Sequence, residues 1–222
     1  MSFSAGSQQA AITRPGELPV DNGAVNQALL TRHAESEFSV RGLTNGDPDV
    51  EVALTEAGRA QARLLGEHLA ATEIDLCAVS EFQRAQETAD LALARRDVPL
   101  LVLPELNDIR FGEFEGRLLA DYRAWARAHG PEDEVPGGEN RTESVVRYVA
   151  GFRALLKRPE RTILVVAHSL PIRYVLNAAV GGLPKPAMEQ VPYAEPFPLT
   201  AAELTEAVER LETWSLAPAW SS

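Results

Sequence analysis

The chain has 222 residues, of which 45% are hydrophobic and 24% charged, enough for one sizeable α/β domain and short for two. No apolar run approaches the ~20 residues of a membrane span, and a formal net charge of −11 speaks against a nucleic-acid partner, which requires a basic footprint. That charge leaves an anionic substrate open, because a few arginines in a pocket reverse the local potential.

Residues 1–23 lack the basic start and apolar stretch of a secretory signal and read as a polar arm with Pro15, Gly16 and Pro19. The domain is assigned to residues 24–222. Ala24 to Thr31 ends in an apolar run that stops at Arg32-His33, as a buried strand does when it delivers polar residues to its carboxyl end. From Thr55, a plausible N-cap, Ala57, Ala60, Leu64, Leu65 and Leu69 recur near helical spacing. Asp75 to Val79 is a short buried-strand candidate holding the single cysteine, Cys77, which excludes an internal disulfide and fits a reducing cytoplasm. Ser80 follows and leads through Arg84 into a helix over Thr88 to Ala94.

Pro99 to Leu103 reads as another strand, Leu118 to His129 as an amphipathic helix, and Pro131 to Gly138 as an acidic Pro/Gly loop. A helix is expected over Thr142 to Lys157, ended before Pro159. Thr162 to Ala167 is the strongest strand signal and again ends in a polar residue, His168, with a helix beginning near Pro171. Gly181 to Phe197 is a Pro-rich loop that could fold over a site as a lid or pack passively. A last helix begins at Thr200, which stands at capping-box spacing from Glu203.

Apolar runs alternating with helices imply a three-layer α/β/α, Rossmann-like domain, with a mostly parallel sheet covered by helices on both faces. Ligands bind such sheets at the carboxyl ends of the strands. Those ends carry Arg32-His33, Ser80 with Arg84, and His168-Ser169. Taken alone, His33 is a structural hydrogen-bonder and Arg84 a helix-surface arginine. Two histidines and two arginines at one edge suit phosphoryl transfer, which rests on positioning and on neutralising phosphate oxygens. Arginine matches those oxygens bidentately, and imidazole attacks phosphorus when one ring nitrogen is free. There is no CxxC, HExxH, GxSxG or Gly-rich Lys-Ser/Thr loop, so no metal, serine hydrolase or nucleotide-driven kinase is expected. His68 and His129 read as surface histidines.

Six segments resemble the histidine phosphatase (phosphoglycerate-mutase-like) superfamily, in the right order across nearly all of residues 24 to 180. LLTRHAES (29 to 36) is similar to its RHG signature, with Ala34 in place of glycine; LTEAGRAQARLLGEHL (54 to 69) and SEFQRAQETA (80 to 89) follow. LNDIRFGEFEG (106 to 116), PGGEN (136 to 140) and VVAHSLPIR (165 to 173) complete the set. The resemblance implies that His33 takes up the phosphoryl group while Arg32, Arg84 and His168 clamp its oxygens. A carboxylic acid then protonates the leaving oxygen and later activates water. Where the family usually has glutamate this chain has Asp108; Glu105 is the alternative acid, and Glu113 and Glu115 default to solvated surface carboxylates.

The resemblance favours the phosphatase branch. Mutases carry WN and ERHYG elements where this chain has Phe38-Ser39 and Asp108 to Gly112. A phosphomonoester hydrolase acting on a small phosphorylated metabolite, without metal or other cofactor, is therefore expected. A phosphoglycerate mutase and a non-catalytic phosphate-binding module are the alternatives. Arg41, Asn45 and Arg110 are candidate contacts to the rest of the substrate. The oligomeric state and the substrate's identity are not legible.

Overall fold

In a computed structural model, residues 25–220 are described; the expected N-terminal arm lies outside them. Five strands form one sheet: β1 (Gln27–Arg32), β2 (Leu76–Val79), β3 (Leu100–Val102), β4 (Thr162–Ala167) and β5 (Pro196–Thr200), ordered β3-β2-β4-β1-β5. β1, β2, β3 and β4 run parallel, and β5 is antiparallel to β1.

Side-chain alternation along the strands sorts the core into two layers. Ala28, Leu30, Ala78, Val165 and Ala167 face one side, under α5 (Arg141–Leu156), α6 (Ser169–Ala179) and α7 (Ala201–Ser215). Leu29, Cys77, Val79, Leu164 and Val166 face the other, under α2 (Glu56–His68) and α3 (Gln83–Ala92). Burial on both faces is why β1 and β4 read as unbroken apolar runs. The layer order is the α/β/α arrangement expected. α1 (Glu37–Val40) and α4 (Leu119–Ala128) lie outside these layers and border the site.

Local signals agree with the helix starts. Thr55 caps α2 by accepting from the Gly58 amide at 2.9 Å, and Thr200 forms the expected capping box with Glu203 at α7. β5 departs from the expectation: residues 196–200 are a strand where the sequence reads as Pro-rich loop running into a helix. Pro196 and Pro198 lie opposite Thr31 and Leu29, and prolines are accommodated because β5 is an edge strand with one neighbour.

One glycine is fixed by close approach. A Cβ on Gly58 would stand 2.0 Å from the carbonyl oxygen of Glu35, two residues after His33. Gly58→Ala therefore lowers stability by about 2 kcal/mol through overpacking, despite the helix propensity gained. In thermal unfolding this reads as a Tm roughly 4–8 °C below wild type; a rise in Tm would contradict the packing.

Candidate active site

Parallel register sets the site. Arg32 pairs with Ala167 across β1 and β4, and the His33 amide donates to the Ala167 carbonyl at 2.9 Å. The residues following both strands are thus side by side, and the His33 and His168 rings lie 5.2 Å apart. Arg84, in the first turn of α3, bridges them. Its Nε donates to His33 Nε2 at 3.2 Å and its Nη2 to His168 Nδ1 at 3.1 Å.

The partners assign the protons. His33 Nδ1 is 2.7 Å from the Ala34 carbonyl, which only accepts, so Nδ1 carries the hydrogen and Nε2 keeps its lone pair. Arg84 only donates, so His168 Nδ1 is also unprotonated, and its Nε2 donates to Ser80 Oγ at 2.8 Å. Burial, reinforced by the charges of Arg84 and Arg32, holds both imidazoles well below the usual histidine pKa. Both rings are neutral and buried.

Arg32 stacks on the Tyr193 ring at 3.9 Å and donates from Nη1 to the Val191 carbonyl at 3.0 Å. Its Nε is buried without a hydrogen-bond partner among the described residues. An orphan guanidinium donor in a buried cluster suits an anionic oxygen. Burial lowers the pKa of Arg32, and that of Arg84 to about 10, so the two cations are held together at a cost that a bound anion relieves.

Asp108 is the carboxyl group that joins this cluster. Its Oδ2 lies 3.6 Å from both Arg84 Nη2 and His168 Nδ1, and its side chain is 22% exposed, open to the cavity. Burial pushes its carboxyl above the ordinary aspartate range, against the opposing pull of Arg84 and the Ile109 amide. Glu105, the alternative acid, is outside the cavity lining; its Cβ faces α5 at Gly151. Asn45 lines the cavity, but its side chain is committed to Arg84 Nη1 and the Asp47 carbonyl. Arg41 and Arg110 are exposed and outside the lining. Glu115 departs from the surface carboxylate expected, since it accepts from the amides of Gly46 and Phe111 at 2.9 Å each.

Several residues that hold the site give no sequence signal. Thr88 Oγ1 accepts from the Ala34 amide at 3.0 Å and donates to the Arg84 carbonyl at 2.6 Å, tying clamp to histidine loop. Ala34 avoids positive φ, which among the described non-glycine residues only Ala194 adopts, at 49°; alanine is thus accommodated there without left-handed strain. The 186–190 segment and Tyr193 form one wall of the cavity.

Arg147 positions the acid loop. It donates to the carbonyls of Glu105, Asn107 and Asp108 at 3.1, 2.9 and 3.1 Å. Glu139, from the PGGEN segment, anchors it through two hydrogen bonds of 2.9 and 2.7 Å. Arg147→Met therefore lowers kcat by about 10²-fold through misplacement of Asp108. Activity is expected to decline as Asp108 loses its proton, which sets the alkaline limb of the activity profile. Because the Arg147 charge also lowers the Asp108 pKa, that limb moves to higher pH in the variant. An unmoved limb would mean that Arg147 only supports the fold.

The cavity above these groups measures about 960 Å³. Among the described residues no group of three or more His, Cys, Asp and Glu side chains is placed to hold a metal ion, and no helix is long and apolar enough to cross a membrane.

Comparison with known proteins agrees with this geometry. The model of the histidine phosphatase superfamily (branch 1) matches residues 28–217. The adenosylcobalamin/alpha-ribazole phosphatase of Escherichia coli (strain K12) is 32% identical over 169 residues, covering 72% of this chain and 81% of that protein. A 2,3-bisphosphoglycerate-dependent phosphoglycerate mutase of Methylobacterium sp. (strain 4-46) is 35% identical over 172 residues, covering 69% and 80%. The solved alpha-ribazole phosphatase from Shigella flexneri superposes with a TM-score of 0.66 at 28% identity, covering 78% of this chain and 89% of its own.

Proposed function

Because this chain belongs to the histidine phosphatase superfamily, we propose that it is a cytoplasmic, metal-independent phosphomonoester hydrolase working through a phosphohistidine at His33. The observation that carries this reading is the His33 tautomer. Its Nδ1–H is fixed on the Ala34 carbonyl, and its unprotonated Nε2 faces the arginine clamp.

Phosphate oxygens of the substrate bind Arg32 Nε and Arg84, whose Nη2 is held in place by His168 Nδ1. The His33 Nε2 lone pair forms the N–P bond in line as the ester O–P bond breaks. Asp108 gives its proton to the departing oxygen. The resulting carboxylate takes a proton from water as that water attacks phosphorus. The N–P bond then breaks, inorganic phosphate leaves, and Asp108 is protonated again. The two buried guanidinium groups supply the positive charge in place of a metal ion. The acidic chain and a cavity of about 960 Å³ favour a small phosphorylated substrate over nucleic acid.

Hydrolysis of p-nitrophenyl phosphate in EDTA, with rapid quenching into base, tests this reading. The expected result is EDTA-insensitive release of p-nitrophenol with an initial burst stoichiometric with base-stable, acid-labile protein phosphate. Activity abolished by EDTA and restored by a divalent cation would overturn it. The mutase relative makes a second reading specific. Bisphosphoglycerate-dependent isomerisation of phosphoglycerate, faster than phosphate release, would assign the chain to phosphoryl transfer between hydroxyls instead.

A further inference from the structure

The cavity carries more positive charge than one phosphoryl group uses. Arg32, Arg84, Arg123, Arg127, Arg141 and Arg173 line it, against the carboxylates of Asp108 and Glu189, in a chain of formal charge −11. Arg32 and Arg84 belong to the clamp. Arg173 is committed to the wall, donating to the carbonyls of Glu189 and Gln190 at 2.9 and 3.2 Å. Three arginines remain.

Arg141 is the most informative of them. It is the first residue of α5, immediately after the N-cap Asn140, and only part-exposed. Its donors reach neutral phenols: Nε to the Tyr122 hydroxyl at 3.2 Å and Nη1 to that of Tyr174 at 3.3 Å. Nη2 makes no hydrogen bond among the described residues, and no carboxylate there forms an ion pair with the guanidinium. A largely buried arginine ordinarily has an acidic partner. Asp133 and Glu139 border a small recess shared with Arg141, yet Asp133 is committed to the Gly130 amide and Glu139 to Arg147. The helix N-terminus behind Arg141 adds favourable potential for an anion.

Arg123 and Arg127 stand at i, i+4 on α4 and so share one face of it. Both are exposed into the cavity, with no hydrogen bond or ion pair among the described residues. Arg123 is near enough to the clamp for its charge to lower the Arg32 pKa. Leu119, Tyr122, Leu170 and Met188 supply apolar wall. At about 960 Å³ the cavity is at the upper end of ligand pockets, ~300–1,000 Å³, and a phosphoryl group on the clamp leaves most of it open.

We propose that Arg123, Arg127 and Arg141 form a second anion subsite, and that the substrate is an elongated phosphomonoester whose far end carries a carboxylate or a second phosphate. The inference rests on the phosphatase reading of the clamp. Guanidinium recognises either anion bidentately, and the apolar wall between the two charged regions receives the body of the molecule.

The test measures phosphate release from a homologous series of linear alkyl phosphates. Each is paired with the chain of the same length ending in a carboxylate or in a second phosphate. In the wild type, kcat/KM for the doubly anionic chain is expected to exceed that of its neutral-ended twin by about tenfold or more at the matching length. That ratio falls to near one in Arg123→Gln/Arg127→Gln, whose two positions are exposed and leave the core intact, and in Arg141→Met. Comparing the two end groups identifies the anion preferred. A wild-type ratio near one at every length, or a preference that survives in the double variant, overturns the proposal. Should the wild type release no phosphate from any chain, the phosphatase reading fails, and the same pairs are titrated against the protein by calorimetry. Tighter binding of the doubly anionic chain, lost in Arg123→Gln/Arg127→Gln, then supports the subsite, and equal binding overturns it.

Discussion

His33→Ala reduces kcat on p-nitrophenyl phosphate by about 10⁴- to 10⁶-fold, the range seen when a covalent nucleophile is removed, and no phosphoprotein can be trapped. The site has no substitute. The unprotonated nitrogen of His168, Nδ1, has Asp108 Oδ2 3.6 Å away as well as Arg84, so the acid stands where a phosphoryl group would have to approach it. Affinity for inorganic phosphate changes little, because Arg32 Nε and Arg84 remain. Vanadate behaves differently, since its five-coordinate adduct needs the imidazole as an apical ligand and its affinity therefore falls steeply. Parallel titration of phosphate and vanadate, monitored by Tm shift, separates the two roles, because a ligand bound only to the folded state raises stability as RT ln(1 + [L]/Kd). Equal loss of both anions would show that His33 is a binding group and not the nucleophile.

The fold was legible where physics acts locally. β4 is buried on both faces, so TILVVA could be read from composition alone, and the Thr200–Glu203 cap needs only four residues of sequence. β5 was not legible: Pro196, Phe197 and Pro198 carry no alternation, and only pairing with β1 makes them a strand. The same division holds at the site. Arg32, His33 and His168 stand where strands end, and periodicity alone brings them to one edge. Arg84 gained meaning only from the motif around it. Arg147 and Thr88 could not be read, because their work is done on backbone atoms 39 to 54 residues away in sequence.

That division also explains the arrangement of charge. Two guanidinium groups and two neutral imidazoles share one buried cluster, with Asp108 as the carboxylate nearest them. Arg84 is held by Asn45 through both its side chain and its carbonyl, and Arg32 by the Tyr193 ring and the Val191 carbonyl. Neutral acceptors position the cations without cancelling them. The clamp is thereby left short of negative charge until a phosphoryl group arrives, which is the electrostatic preorganisation that phosphoryl transfer depends on.

Asp108→Asn loses activity in proportion to how poor the leaving group is. With alkyl phosphates, whose alkoxide must be protonated, kcat falls by about 10²- to 10⁴-fold. With p-nitrophenyl phosphate the departure step suffers less, but water activation is lost as well. The phosphohistidine then accumulates, and the burst becomes pronounced while turnover slows. The pH profile follows from two opposite shifts. His33 is held well below the usual histidine pKa and stays free to attack far into acid, whereas burial raises Asp108, which must be protonated to act. Wild-type activity therefore occupies an acid-shifted window and declines as pH rises through the raised Asp108 pKa; in Asp108→Asn that alkaline limb disappears. Stability moves in the same direction with pH, but the substitution affects it oppositely. An acid whose folded pKa lies above its unfolded value adds stability below the unfolded pKa and loses it as pH rises through the folded one. Asp108→Asn should accordingly match wild type in acid and exceed it in Tm at neutral pH. A variant less stable than wild type at neutral pH would instead make the Asp108 charge a net support for the two arginines, and would remove the reason for its carboxyl to hold a proton.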